Sequence, residues 1–148
     1  MKNAQTEKQN SDNVFIRIKG NMSQGISDND VIEFCTEGIM ERMGEVIYLT
    51  YKESKISGME GTTTTIKLDN EKMSLMRIGD VNYTMDFCKG YKNYNKYETS
   101  YGQLNMGIVT NDLKIIYEGN KLKDIVLDYD LDINGSSIGN NIVNINVN

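Results

Sequence analysis

The sequence predicts an all-β domain, a single antiparallel up-and-down barrel of about eight to ten strands. Three observations carry that expectation. Apolar residues recur with a period of two in segment after segment, the rhythm of strands with one face buried. The connections are short and rich in Gly, Asn and Asp, as antiparallel neighbours require, and none suggests the long crossover of a Greek-key sandwich. No segment makes a convincing helix. Such a run of strands leaves two unpaired edges unless it closes on itself, so closure favours the barrel over the sandwich.

Residues 1–13, MKNAQTEKQNSDN, carry nothing to bury and are expected to form a disordered tail, leaving 14–148 as the barrel domain. In VFIRIKG, Val14, Ile16 and Ile18 share one face, and Phe15, Arg17 and Lys19 the other. The polar connection NMSQGISDND leads to VIEFCTEGIM, where Ile32, Phe34 and Thr36 oppose Glu33, Cys35 and Glu37. In VIYLTYKES the face of Ile47, Leu49 and Tyr51 ends on a carboxylate, Glu53. After the SGMEG loop comes TTTTIKLDN, whose threonines sit easily in a sheet and poorly in a helix. Asp69-Asn70 turns the chain into KMSLMRI, and Gly79-Asp80 into VNYTMDF.

The stretch from Met76 to Thr110 reads as three or four strands folded back on one another, interrupted by a Lys/Tyr-rich excursion from Lys89 to Lys96. That excursion is expected to form a long hairpin or lid over one mouth of the barrel. YETSYG, QLNMGIVT and LKIIYEG follow as further strands. In KDIVLDYDLDIN, Ile125, Leu127, Tyr129, Leu131 and Ile133 alternate with Val126, Asp128, Asp130 and Asp132, marking a sheet with one wet side. After NGSS, Val143, Ile145 and Val147 belong to the strand that closes the structure.

A chain of 148 residues is one domain, large enough to bury a core or to enclose a small cavity. It contains no His, Trp or Pro, so Ser-His and Cys-His nucleophiles are excluded, and an enzyme would have to use carboxylates, Lys, Tyr or a thiol. The net charge of −5 and a pI of about 4.8 argue against a protein built to coat nucleic acid. Cys35 and Cys88 form no motif and are expected as free thiols. The polar start is no secretory signal, and no apolar run approaches a membrane span, so a cytoplasmic protein is expected, with no membrane contact.

Four constellations merit weighing. If the faces of Glu53 and Arg77 point inward, a carboxylate and a guanidinium enter the barrel, where they must pair. They form either a salt bridge that fixes register or a polar site, with Arg77 anchoring an anionic head and Thr99 and Thr110 adding hydroxyls. KGYKNYNKYETSY interleaves Lys89, Lys92 and Lys96 with Tyr91, Tyr94, Tyr97 and Tyr101, a pattern single-strand binders use, but the acidic chain favours the hairpin reading. Asp130, Asp132, Asn134 and Gly135 match the opening of a calcium loop, yet Asn141 stands where the bidentate Glu belongs, so no metal is expected. The nine methionines could line an adaptable cavity but are expected as core, and the cysteines are expected as small packing residues rather than nucleophiles.

The series LTYKES, TTTTIKL, MRIGD, DFCKG, YETSYG, LNMGIVT and DYDLDI resembles the YwiB-like family of small bacterial proteins, a domain of unknown function. The likeness runs from about Val14 to the end. It implies the fold of lipocalins and fatty-acid-binding proteins, the calycin barrels, without implying an activity; the Gly-x-Trp signature of secreted lipocalins is absent. The expectation is a non-enzymatic barrel that takes a small, partly apolar or anionic ligand and needs no cofactor. Tyr51, Glu53, Arg77, Tyr83, Tyr97, Thr99, Thr110 and Tyr129 are the candidate ligand-binding residues, with Ile47, Leu49, Met85, Phe87, Met106 and Leu127 as wall. The alternatives are a structural or protein-interaction module with a filled interior, or an enzyme using Glu53 with Arg77 or Tyr97.

Overall fold

The computed structural model describes residues 10–23, 31–80 and 82–148, and every regular element among them is a strand. In chain order these are β1 (Asn10–Ser23), β2 (Val31–Met43), β3 (Val46–Lys52), β4 (Thr62–Asp69) and β5 (Lys72–Gly79). They continue with β6 (Tyr83–Cys88), β7 (Lys92–Thr99), β8 (Gly102–Glu118), β9 (Lys121–Ile133) and β10 (Ser136–Val147). Each strand pairs antiparallel with the next, and β10 pairs with β1 to shut the ring. The result is a closed ten-stranded up-and-down barrel, the architecture the period of two predicts. Phe15 and Asn148 exchange both backbone hydrogen bonds at the closure, at 3.0 and 2.9 Å.

Three expectations need correction. β1 begins at Asn10, so residues 10–13 are strand, not tail; β2 supplies ladder partners from Arg42 to Ile39, and backbone pairing holds a segment with little apolar surface. The rest of the expected tail, residues 1–9, and the middle of the following connection, 24–30, lie outside the described residues. QLNMGIVT and LKIIYEG are one strand, β8, which bends at register shifts between Thr110 and Asp112 and between Ile116 and Tyr117. The Lys/Tyr-rich stretch is no lid: β7 is part of the wall, with Lys92, Tyr94 and Lys96 exposed on its outer side and Tyr97 half-buried.

Turn chemistry follows the sequence closely. Asn134 and Gly135 take φ of 52° and 88° between β9 and β10, the left-handed pair that a two-residue hairpin demands. Around that hairpin Asp132 is taken by Lys92 at 3.0 Å, while Asn141 is buried among the inward residues of β10. The calcium pattern therefore has no common locus, and no metal-holding acidic group occurs among the described residues. Cys35 is exposed and Cys88 half-buried, and both are free.

The core is made by the predicted inward faces. Ile16, Leu49, Ile66, Ile108 and Ile125 have no accessible surface at all, so not even a water-sized void touches them. Gly38 on β2 makes room for this packing, because a Cβ there would lie 2.5 Å from Ile16 Cδ1 and 2.7 Å from the Thr50 carbonyl oxygen.

The wall has one thin seam. β6 and β7 share a single ladder pair, Tyr83 with Tyr97. Beyond it, side chains replace the backbone bonds: the Asp86 N–H donates to Asn95 Oδ1 at 3.2 Å, and Asn93 Nδ2 donates to the Asp86 carbonyl at 3.1 Å. Asn95 Nδ2 and Ser74 Oγ donate to the Asp86 carboxylate at 3.0 and 2.7 Å. An outer cleft of about 580 Å³ opens along this seam beside Met73, Phe87, Cys88 and Tyr91.

Candidate functional site

Residues directly opposite on antiparallel neighbours project to the same side, so register alone assembles the site. Gly38 faces Tyr51, Tyr51 faces Thr64, Thr64 faces Arg77, Arg77 faces Tyr83, and Tyr83 faces Tyr97. This inward row crosses the wall from β2 to β7 at one level. A second row, Thr110, Tyr129 and Asn141, crosses β8 to β10. Glu53, just past the end of β3, adds a carboxylate to the first row, its N–H bonded to the Thr62 carbonyl at 2.8 Å.

The Glu53 side chain has no exposed surface, and Arg77 only 15%. Arg77 Nε lies 3.6 Å from Glu53 Oε2 and donates to Thr64 Oγ1 at 3.3 Å. Thr64 in turn donates to Glu53 Oε2, and an Arg77 terminal nitrogen donates to the Tyr83 hydroxyl. The guanidinium also rides over the Tyr83 ring, 5.5 Å from its centroid. Burial alone would weaken the Arg77 cation, but Tyr83, Tyr51 and Glu53 more than offset that and leave its pKa raised. Tyr83 meets Tyr97 edge-on at 5.0 Å, and Tyr129 meets Phe87 in the same way at 5.0 Å.

Of the expected site residues, Tyr51, Glu53, Arg77, Tyr83 and Tyr97 therefore come together, with Tyr129 facing them. Thr110 is fully buried beside Tyr129, but its hydroxyl accepts the Cys88 N–H at 3.2 Å and ties the end of β6 to β8. Thr99 lies elsewhere. Its hydroxyl donates to the Gly102 carbonyl at 2.7 Å and accepts the Tyr101 N–H, capping the β7–β8 hairpin. Thr64 and Asn141 were not among the expected site residues, although both share parity with apolar neighbours, Ile66 and Val143, that mark the inner face. Two acceptors in the cluster, Glu53 Oε1 and Asn141 Oδ1, are buried without a hydrogen-bond partner.

Burial, then the Glu53 charge, pushes the Tyr51 hydroxyl pKa up; burial, then Tyr83, pushes that of Tyr129 up to about 12. The sign for stability is unambiguous. Below the unfolded tyrosine pKa of ~10 both states keep their protons, and the contribution of these groups is intact. Between ~10 and about 12 the unfolded chain releases a proton that folded Tyr129 retains, so stability falls by ~1.4 kcal/mol per pH unit from this group alone. Urea titrations across that window, followed by tyrosinate absorbance, are expected to show the decline, and Tyr129→Phe to flatten it. A wild-type stability that holds level to pH ~12 contradicts the buried hydroxyl.

The crystal structure of the YwiB protein from Bacillus subtilis is similar over 99% of this chain and 99% of that one, with a TM-score of 0.74 at 18% identity, a likeness of fold. No curated protein matches the sequence. The barrel and its ordered strands thus agree with a solved structure, and the chain belongs to the family described as a domain of unknown function, DUF1934, whose model matches residues 16–145.

Proposed function

We propose that this barrel is a non-enzymatic container for a small, partly apolar molecule held beside the Glu53–Arg77 cluster. One observation carries the reading: residues on inward faces, flanked by buried partners, keep accessible surface. Leu75 pairs with Ile66 and Met85, both buried, and Tyr129 pairs with Thr110 and Asn141, both buried. Yet Leu75 and Tyr129 are only partly buried. Since their neighbours in the wall are covered, we read this surface as facing space inside the barrel. Phe34, Leu131, Ile133 and Val143 are also partly buried against the core and would supply apolar lining to such a space. Burying a ligand's apolar body there contributes ~25 cal/mol per Å².

Support for a non-enzymatic role lies in the bonding of the candidate catalytic groups. Glu53 and Arg77 are engaged with each other and with Thr64, and the tyrosines Tyr51 and Tyr129 hold their protons far above neutrality. On the outer face, Lys89 and Lys92 are drawn to Asp112 and Asp132 at 3.2 and 3.0 Å, which weakens the charge they could offer a phosphate backbone. Native mass spectrometry of protein purified from cells tests the proposal. A retained mass that denaturation releases is expected, together with its loss in Leu131→Trp, which fills the space. A bare chain whose melting temperature ignores a lipid and metabolite panel supports instead the second reading, a structural barrel, to which the densely packed half around Ile66 and Ile108 contributes.

A further inference from the structure

We infer that the end of the barrel opposite the Glu53–Arg77 cluster holds a site for a small monocarboxylate with a short apolar tail. This assignment is independent of the container reading. The ladders of β10 stop short of both neighbours: pairing with β1 ends at Ile16–Val147 and the Phe15–Asn148 bonds, and pairing with β9 ends at Asp124–Asn146. Residues 10–14 of β1 and 121–123 of β9 therefore run on with no β10 strand between them. Arg42, near the end of β2, reaches across this slot: its Nη2 donates to the Asn120 carbonyl at the β8–β9 turn at 2.7 Å. A cavity of about 250 Å³ lies there, lined by Asp12, Met40, Arg42, Asn120 and Lys121.

Charge selects the ligand. Of the chain's three arginines, Arg17 and Arg77 face the carboxylates of Glu33 and Glu53. Arg42 has no such partner among the described residues, and neither has Lys121, although the chain carries a net charge of −5. The Asn120 carbonyl takes one donor of the half-buried Arg42 fork and holds it in place, leaving the remaining donors to an anion. Asp12 on the wall subtracts one charge. Two cations and one carboxylate leave a surplus of one positive charge, which a monocarboxylate neutralises and a phosphate dianion exceeds. The cavity is smaller than the ~300–1,000 Å³ of pockets for drug-sized molecules, so the ligand is small. Met40, opposite Asp12 and Leu49 in the ladders, receives its apolar end.

The test is nuclear magnetic resonance of the isotope-labelled whole chain, titrated with sodium butyrate, sodium phosphate and butylammonium chloride at about pH 8, where phosphate is doubly charged. Butyrate is expected to shift the amide signals of Asp12, Arg42, Asn120 and Lys121 and to bind about threefold or more tightly than phosphate, while butylammonium leaves them in place. Phosphate that matches butyrate overturns the single-charge fit, as does butylammonium moving the same signals. Butyrate shifts that appear only at Tyr83 and Tyr97 put the anion in the container and overturn this site. Shifts at neither set overturn it too and leave the container reading to its own test. Lys121→Gln changes an exposed side chain and should weaken butyrate about fivefold, whereas Asp12→Asn, also exposed, should strengthen it by a similar factor. Unchanged affinity in either variant overturns the assignment. Arg42→Met is expected to abolish the shifts, but it also cuts the bond to Asn120, so the two exposed positions decide.

Discussion

Arg77→Met is expected to lower unfolding free energy by ~3–5 kcal/mol at neutral pH, the cost of stranding a buried charge. The substitution keeps a stem of similar length against Tyr83 but leaves the wholly buried Glu53 carboxylate with the Thr64 hydroxyl and without a cation beside it. For a chain of this size the loss corresponds to a fall in melting temperature of roughly 6–20 °C. Removing both charges in Glu53→Gln/Arg77→Met is expected to recover most of it, because a neutral pair has no ion to desolvate. A double-mutant cycle by urea unfolding measures both. If the single variant loses less than ~1 kcal/mol, the carboxylate has another source of compensation and the pair does not set the stability of this end of the barrel.

Phe87→Ala should be nearly as damaging, at ~3–5 kcal/mol, for a different reason. Phe87 is buried on β6, where it touches Tyr129 edge-on and pairs with Met73. Elsewhere in the wall a continuous ladder would hold a strand whose anchor had been cut away. β6 has that support from β5 but has one ladder pair with β7. The truncation therefore removes apolar burial and loosens the seam bridged by Asn93 and Asn95. Hydrogen exchange should accelerate at Thr84 to Phe87 more than at β3 or β4, whereas uniform acceleration would place the loss in the global equilibrium and deny the seam its special weakness.

Alternation made most of the site readable in advance. Glu53 follows Ile47, Leu49 and Tyr51 at the same parity, and Arg77 follows Met73 and Leu75, so their inward direction was written in the pattern. Thr64 and Asn141 obeyed that pattern too, but polar residues among Thr and Asn repeats do not stand out from strand filler. Thr99 was misleading because parity stops meaning anything at a hairpin, where its hydroxyl serves the local turn. Two features had no local signal. The shifts that let β8 run unbroken past Asn111 depend on its pairing with β9, and the thin contact of β6 with β7 depends on how far the ring is sheared. Register between distant segments is a property of the closed ring, and neither segment encodes it by itself.

Closure through β1 and β10 also has a kinetic side. The pairing joins the earliest described strand to the last, so its loop entropy must be met before the contact returns anything. Until β10 arrives, β1 has one edge bare and β9 another, and a partly assembled ribbon offers both to neighbouring chains. Slow maturation, in the millisecond-to-second range of all-β domains, and a concentration-dependent loss during refolding are the natural accompaniments of a wall that has no edge once it is complete.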